Sequence, residues 1–200
     1  PCRVMPFENR GGAERDKPAG SYSAPLLAAD PVTLPHALDI SAAHVMGHSM
    51  GGFVAQALAV DNPARVGKLI LSATNFGGPR HVPITPEAMA VLTDVTGDPI
   101  ARLRRGIVVS CAPDIAERRP DLIAEWINYR VQHPIDPAGY QAQLAIGLGL
   151  LAEAASFEQR LPAVTSPTLI LFGEHDKVVP PANAALLAAR LPDAWVEILP

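Results

Sequence analysis

The sequence predicts an α/β fold, with a mostly parallel sheet and one helical insertion. Three observations carry this. Short apolar runs alternate with helical patterns toward both ends of the chain. A Gly-x-Ser-x-Gly (Gly47–Gly51) stands where one such run gives way to a helical pattern. From about Pro83 to Arg160 the alternation stops and only helical patterns remain. Strand–helix alternation favours a parallel sheet, because parallel strands need crossover connections. Residues 1–82 and 161–200 are therefore assigned to the core, and residues 83–160 to an inserted helical block.

In chain order, "CRVMPF" (Cys2–Phe7) is a short apolar run broken by "ENRGG", the pattern of a buried strand ending in a turn. Residues 11–22 are polar and glycine-rich, hence loop. "APLLAADPVTLPHAL" has helical spacing of Leu26, Leu27, Leu34 and Leu38, interrupted by Pro31 and Pro35. "AHVMGH" is a strand, and the alanine-rich "MGGFVAQALAVDNP" an amphipathic helix that stops before Pro63. Val66–Thr74 and Thr168–Glu174 are further strands, the latter preceded by Pro167. "PANAALLAARLPDA" is a helix and "WVEILP" a last strand. Within the block, Thr85 and Asp136 stand before helical runs as N-caps.

Composition narrows the function classes. The chain has 200 residues, 48% of them hydrophobic, and a net charge of −4. That is enough apolar material for a sizeable core, and no electrostatic case for nucleic acid. The arginines are scattered, so no basic membrane-surface patch is expected. No apolar run is long enough to span a bilayer. Cys2 and Cys111 are not at metal-ligand spacing, and two cysteines make no disulfide framework. A cytoplasmic protein with reduced thiols is expected, with no metal and no cofactor.

A serine hydroxyl is a poor nucleophile without a base, a group orienting that base, and amide donors for the oxyanion. A tight strand-to-helix turn lifts the serine into the cleft and sets the next N–H at a helix N-terminus, where developing negative charge is favoured. Gly47 and Gly51 allow such a turn. Ser49 is then the nucleophile and the Met50 N–H the first oxyanion donor. The bare pattern also arises by chance in a chain rich in alanine and glycine. Its setting, with an apolar strand before, a helix after and a further glycine at Gly52, is what marks a nucleophile elbow. Asp176 follows an apolar run and Gly173, so it lies at the carboxyl end of a parallel strand, where catalytic groups concentrate. It is the candidate for the acid that orients the base, with Glu174 the alternative and a turn-forming role the structural one.

The segment "FENRGGAERDKPAGSYS" through "AAHVMGHSMGGFVAQALAVDNPARVGKLIL" resembles the central part of an α/β-hydrolase, and "SPTLILFGEHDKVVPPANAALLAARLPDAWVEILP" resembles the last two strands of that fold. Within the superfamily the chain is similar to short-cap serine hydrolases related to 3-oxoadipate enol-lactonase and small carboxylesterases. The loop "ENRGGAERDKP" keeps Arg10, Gly11, Asp16 and Pro18 of the family's pattern and departs at Glu8, Ala13 and Arg15. The resemblance implies a Ser–Asp–His triad in which Asp176 matches the acid. Its histidine follows the final strand, so the base is expected beyond Pro200, and the family's first strands and second oxyanion donor before Pro1. The chain is thus expected to be a fragment of a longer hydrolase; a non-catalytic relative that keeps the pocket is the alternative.

Other histidines fit the base poorly. His48 adjoins Ser49 but is expected to point the other way along the elbow. His175 abuts Asp176. His81 could face the cleft, although a surface or capping role fits it better. In the resembled family the inserted block roofs the site and selects the substrate. Phe76, Trp126 and Tyr129, with Met89 and Tyr140, are the candidate substrate contacts, and core packing between helices is the competing role for each. An apolar roof favours a small ester or lactone. Arg102, Arg104 and Arg105 could reach a substrate carboxylate, although a solvated helix face suits them better. Carbon–carbon bond hydrolases, iminopeptidases and perhydrolases share the resemblance.

Overall fold

The computed structural model describes residues 4–7, 26–27, 40–134, 137–150 and 156–200. Four strands form one parallel sheet in the order β1-β2-β3-β4: β1 (Ala43–His48), β2 (Val66–Ser72), β3 (Thr168–Gly173) and β4 (Ala194–Leu199). Helix α1 (Met50–Asp61) connects β1 to β2, and α7 (Ala182–Ala188) connects β3 to β4. Between β2 and β3 the described chain forms only helices: α2 (Pro86–Thr93), α3 (Pro99–Ser110), α4 (Ile115–Arg118), α5 (Pro120–Gln132), α6 (Pro137–Gly149) and a short 3₁₀ turn (Leu161–Ala163).

The local chemistry explains the starts of these helices. Pro86, Pro99 and Pro120 each open a helix, where the missing N–H is no loss and the fixed φ is already helical. Thr85 caps α2 as expected, its hydroxyl oxygen accepting from the Ala88 N–H at 3.2 Å. Asp98 caps α3 in the same way from the Ala101 N–H, at 2.8 Å. Asp136 lies outside the described residues, as do Cys2 and the loop at 11–22; of the helix expected between Ala24 and Leu38, Leu26 and Leu27 are helical and the rest lies outside.

The core forms where α1 and α7 meet the sheet. Leu69, Leu71, Ile170, Phe172, Leu161 and Leu187 are fully enclosed there. Two expectations are corrected. Val4–Phe7 form no strand, and Val4 is 82% exposed. A short extended segment counts as a strand only where its backbone joins a continued ladder, and Val4–Phe7 are assigned none. Helix α1 is not amphipathic: Gly52 to Ala59 are all buried. It is clasped between β1 and β2 on one side and α6 and the 3₁₀ turn on the other, and a helix enclosed on every side needs no polar face.

Two tethers join the inserted helices to the core. Asn183 of α7 is fully buried; its Oδ1 accepts from the Val82 N–H at 2.9 Å and its Nδ2 donates to the Val82 and Pro180 carbonyls. Glu158, 2% exposed, accepts hydrogen bonds from Arg80 and Arg190, both at 2.6 Å.

Candidate active site

The site begins at the junction of β1 and α1. Ser49 has φ 50° and ψ −118°, a left-handed conformation costly for any residue with a Cβ. The turn is held by its N–H, which donates to Ser72 O at 2.9 Å, and by the Gly52 N–H, which donates to Ser49 O at 2.8 Å. A Cβ on Gly47 would lie 2.3 Å from Gly51 O and 2.7 Å from Ala55 Cβ. A Cβ on Gly52 would lie 2.3 Å from Thr74 Oγ1. The glycines thus let helix, strand and neighbouring loop approach to contact distance. Gly51 itself meets nothing within 4 Å, so its role is not steric.

Ser49 stands at the N-cap of α1, yet its side chain makes no capping hydrogen bond. A serine there ordinarily spends its hydroxyl on the helix; the Ser49 hydroxyl makes no hydrogen bond among the described residues. Met50 is the first residue of α1, so its N–H has no acceptor within the helix and adds to the positive end of the helix dipole. Both residues are half-buried. A second strained residue, for which no local pattern is a signal, follows Ser72. Ala73 has φ 43° just past the end of β2, and its N–H donates to Leu171 O at 2.9 Å.

Asp176 lies just past β3, on the same carboxyl edge of the sheet, and is half-buried where Glu174 and His175 are exposed. The Val178 and Val179 N–H groups donate to its Oδ1 at 2.8 and 2.9 Å, which fixes the carboxyl group. No hydrogen bond to Oδ2 occurs among the described residues. Burial pushes the Asp176 carboxyl above its ordinary value, against the Val179 and Val178 N–H groups and the His48 ring, which pull it down. His48 is thus close enough to Asp176 to be felt electrostatically, and its Nδ1 lies 3.1 Å from Ser72 Oγ. The sequence reading of His48 as pointing the other way along the elbow did not include this link to Ser72. His81 is held instead by the Gly78 carbonyl, 2.5 Å from its Nδ1.

The aromatic candidates are not brought to Ser49 in this way. Phe76 is 1% exposed and packs in the core. It sits in the loop after β2, where its carbonyl accepts from the Phe157 N–H and Ser156 Oγ. Trp126 and Tyr129 are exposed on α5, and Tyr129 stacks on His133 with centroids 4.3 Å apart. Among the arginines, Arg105 pairs with Asp94 at 2.9 Å, Arg102 donates to the Val95 carbonyl, and Arg104 is exposed.

A strained serine between glycines at the end of a parallel strand, with a half-buried aspartate two strands along the same edge, is an arrangement that comparison with known proteins places in a family. The family model described as serine aminopeptidase, S33 matches residues 34–199. The chain belongs to the α/β-hydrolase family. Among the relatives of this chain is a 2-hydroxy-6-oxononadienedioate/2-hydroxy-6-oxononatrienedioate hydrolase of Cupriavidus pinatubonensis, 32% identical over 80% of the chain and 55% of the relative. A poly(3-hydroxyalkanoate) depolymerase of Ectopseudomonas oleovorans is 31% identical over 98% of the chain and 66% of its own length. Among solved structures, the enol-lactonase of Burkholderia xenovorans LB400 superposes with a TM-score of 0.74 at 26% identity, covering 96% of this chain and 70% of that one. The chain spans about half the length of the first curated relatives it matches. Among its described residues, no helix is long and apolar enough to cross a membrane, and no cluster of His, Cys, Asp or Glu could hold a metal ion.

Proposed function

We propose that this α/β-hydrolase cleaves a carboxylic ester or lactone through an acyl-enzyme on Ser49. The observation that carries the reading is the Ser49 turn: a backbone held in a left-handed conformation, with a hydroxyl not spent on capping. Such strain persists only where the surroundings impose it, and it concentrates at functional sites. In the proposed reaction Ser49 Oγ attacks the acyl carbon and loses its proton to a histidine base. The Met50 N–H donates to the developing oxyanion. The base returns the proton to the leaving alcohol, and water then releases the acid. Asp176 orients the base through Oδ2.

The inserted block, residues 83–160, is proposed to roof this edge of the sheet. Three contacts support it. The Lys177 N–H, next to Asp176, donates to Val109 O at 3.0 Å; the Thr85 N–H donates to Lys177 O at 3.0 Å; and Lys177 Nζ pairs with Glu87 at 2.8 Å. The loop carrying the acid is therefore strapped to α2 and α3. The partners proposed are small ester or lactone molecules, in the cytoplasm.

The test uses the native protein, a fluorophosphonate probe and p-nitrophenyl butyrate. Labelling and turnover are expected, and both are expected to vanish in Ser49→Ala. Equal labelling of Ser49→Ala and the native protein, or no labelling of either, would favour the non-catalytic binding protein. A second reading, carbon–carbon bond hydrolysis, is favoured by the likeness to the dienedioate hydrolase. It predicts faster turnover of a 2-hydroxy-6-oxo-dienoate than of p-nitrophenyl butyrate.

A further inference from the structure

The inserted helices line a half-open cavity of about 560 Å³, and neither Ser49, Met50 nor Asp176 lines it. Its size falls within the range of small-molecule sites. Its walls are largely apolar, with Val91, Leu103 and the Tyr140 ring among them. The Tyr140 hydroxyl is already spent, donating to the Leu92 carbonyl at 2.9 Å.

The polar groups at this cavity are unbalanced. Arg130, in the last turn of α5, is half-buried at the wall and makes no hydrogen bond or ion pair among the described residues. Arg102 gives a hydrogen bond to the neutral Val95 carbonyl, which leaves its charge uncompensated. Asp94, the acidic residue at the wall, is matched by Arg105. The Asp94–Arg105 pair cancels, and among the described residues at the wall the two remaining guanidinium groups leave an excess of positive charge. A guanidinium is built to receive a carboxylate through parallel N–H donors.

A second observation concerns Gly106. It lies inside α3, where glycine weakens a helix, and it lines the cavity. A Cβ built there meets nothing within 4 Å, so no neighbour requires the glycine. The missing side chain leaves open space on the cavity side of α3.

We propose that this cavity binds an amphipathic monocarboxylate, its chain against the apolar walls and its carboxylate on Arg130, at a site separate from Ser49. The inference goes beyond the proposed hydrolase activity and does not rest on it. The experiment is isothermal titration of the native protein with decanoate, with 1-decanol as the uncharged control. Decanoate is expected to saturate at one molecule per chain. The alcohol, lacking the charge, is expected to bind about tenfold or more weakly. Gly106→Leu should abolish binding while keeping or raising the unfolding midpoint, since leucine fills the cavity and favours the helix. Arg130→Gln, on a helix surface, should weaken decanoate about tenfold and leave 1-decanol unchanged. Equal affinity for acid and alcohol, binding unaffected by both substitutions, or no decanoate binding at all would overturn the proposal.

Discussion

The Ser49 N–H donates to the Ser72 carbonyl at 2.9 Å, tying the elbow serine to the last residue of the neighbouring strand. One residue earlier, His48 Nδ1 lies 3.1 Å from Ser72 Oγ. The nucleophile candidate is thus anchored by its own backbone and by its neighbour's side chain to one position on β2. A serine held from both sides keeps its turn without help from a ligand.

The anchoring needs Gly47. Gly47→Ala sets a methyl 2.3 Å from Gly51 O, a backbone atom that cannot step aside. The expected loss is about 3 kcal/mol of unfolding free energy, the upper end for overpacking a filled site. Fluorophosphonate labelling of Ser49 should fall with it. Denaturant unfolding and labelling of the same preparation check both.

Asn183 closes the entry to the inserted helices. Asn183→Ala removes three hydrogen bonds and strands the Val82 N–H and carbonyl beside α7. A loss of about 3 kcal/mol is expected, most of it from groups left without partners. Hydrogen exchange should show the Val82 amide losing protection before the β2 and β3 amides do.

Glu158 gives a stability term with a defined pH window. Burial pushes its carboxyl up, but the hydrogen bonds and charges of Arg190 and Arg80 outweigh this and leave it below its ordinary value. A folded value below the unfolded one makes the contribution complete above the unfolded pKa of about 4.3. It is lost as pH falls through the folded value. Glu158→Gln should therefore lower stability at pH 7 by about 2 kcal/mol and by progressively less in acid. Thermal unfolding of the two proteins across pH 3–7 reads the difference.

Asp176 works in the opposite sense. Its folded value is raised, chiefly by burial, so ionising it costs stability. The penalty is absent below the unfolded carboxylate pKa and grows as pH rises through the raised folded value. Asp176→Asn removes it and leaves Oδ1 able to accept from Val178 and Val179. The melting temperature at pH 7 should rise slightly, and the gain should disappear in acid. Turnover should be lost, because an amide cannot stabilise an imidazolium. Calorimetry beside an ester assay checks the pair.

Much of the architecture was legible because it is written locally. β1 begins and ends where its apolar run does, the expected strands at Val66 and Thr168 end within two residues of their predicted limits, and Thr85 caps the helix it precedes. Apolar period, proline and capping residues act over a few positions, so they can be read in order. The expected strand at Cys2–Phe7 failed over its described residues because strand formation depends on a partner, which no local pattern reports. The face of α1 was misread because alanine at nearly every position fits a helix packed on one side or on all of them.

The sequence by itself determined the parallel sheet, the helical insertion between β2 and β3, and the setting of Ser49 between glycines at a strand-to-helix turn. Only the tertiary structure decided that His48 reaches Ser72 across 24 residues and Asn183 reaches Val82 across 101. It alone put Phe76 inside the core, left the Ser49 hydroxyl without a capping bond, and set Arg130 and Gly106 on one cavity. The reason is range. Backbone conformation answers to neighbours a few residues away, whereas burial, charge pairing and empty space depend on which distant segments pack together.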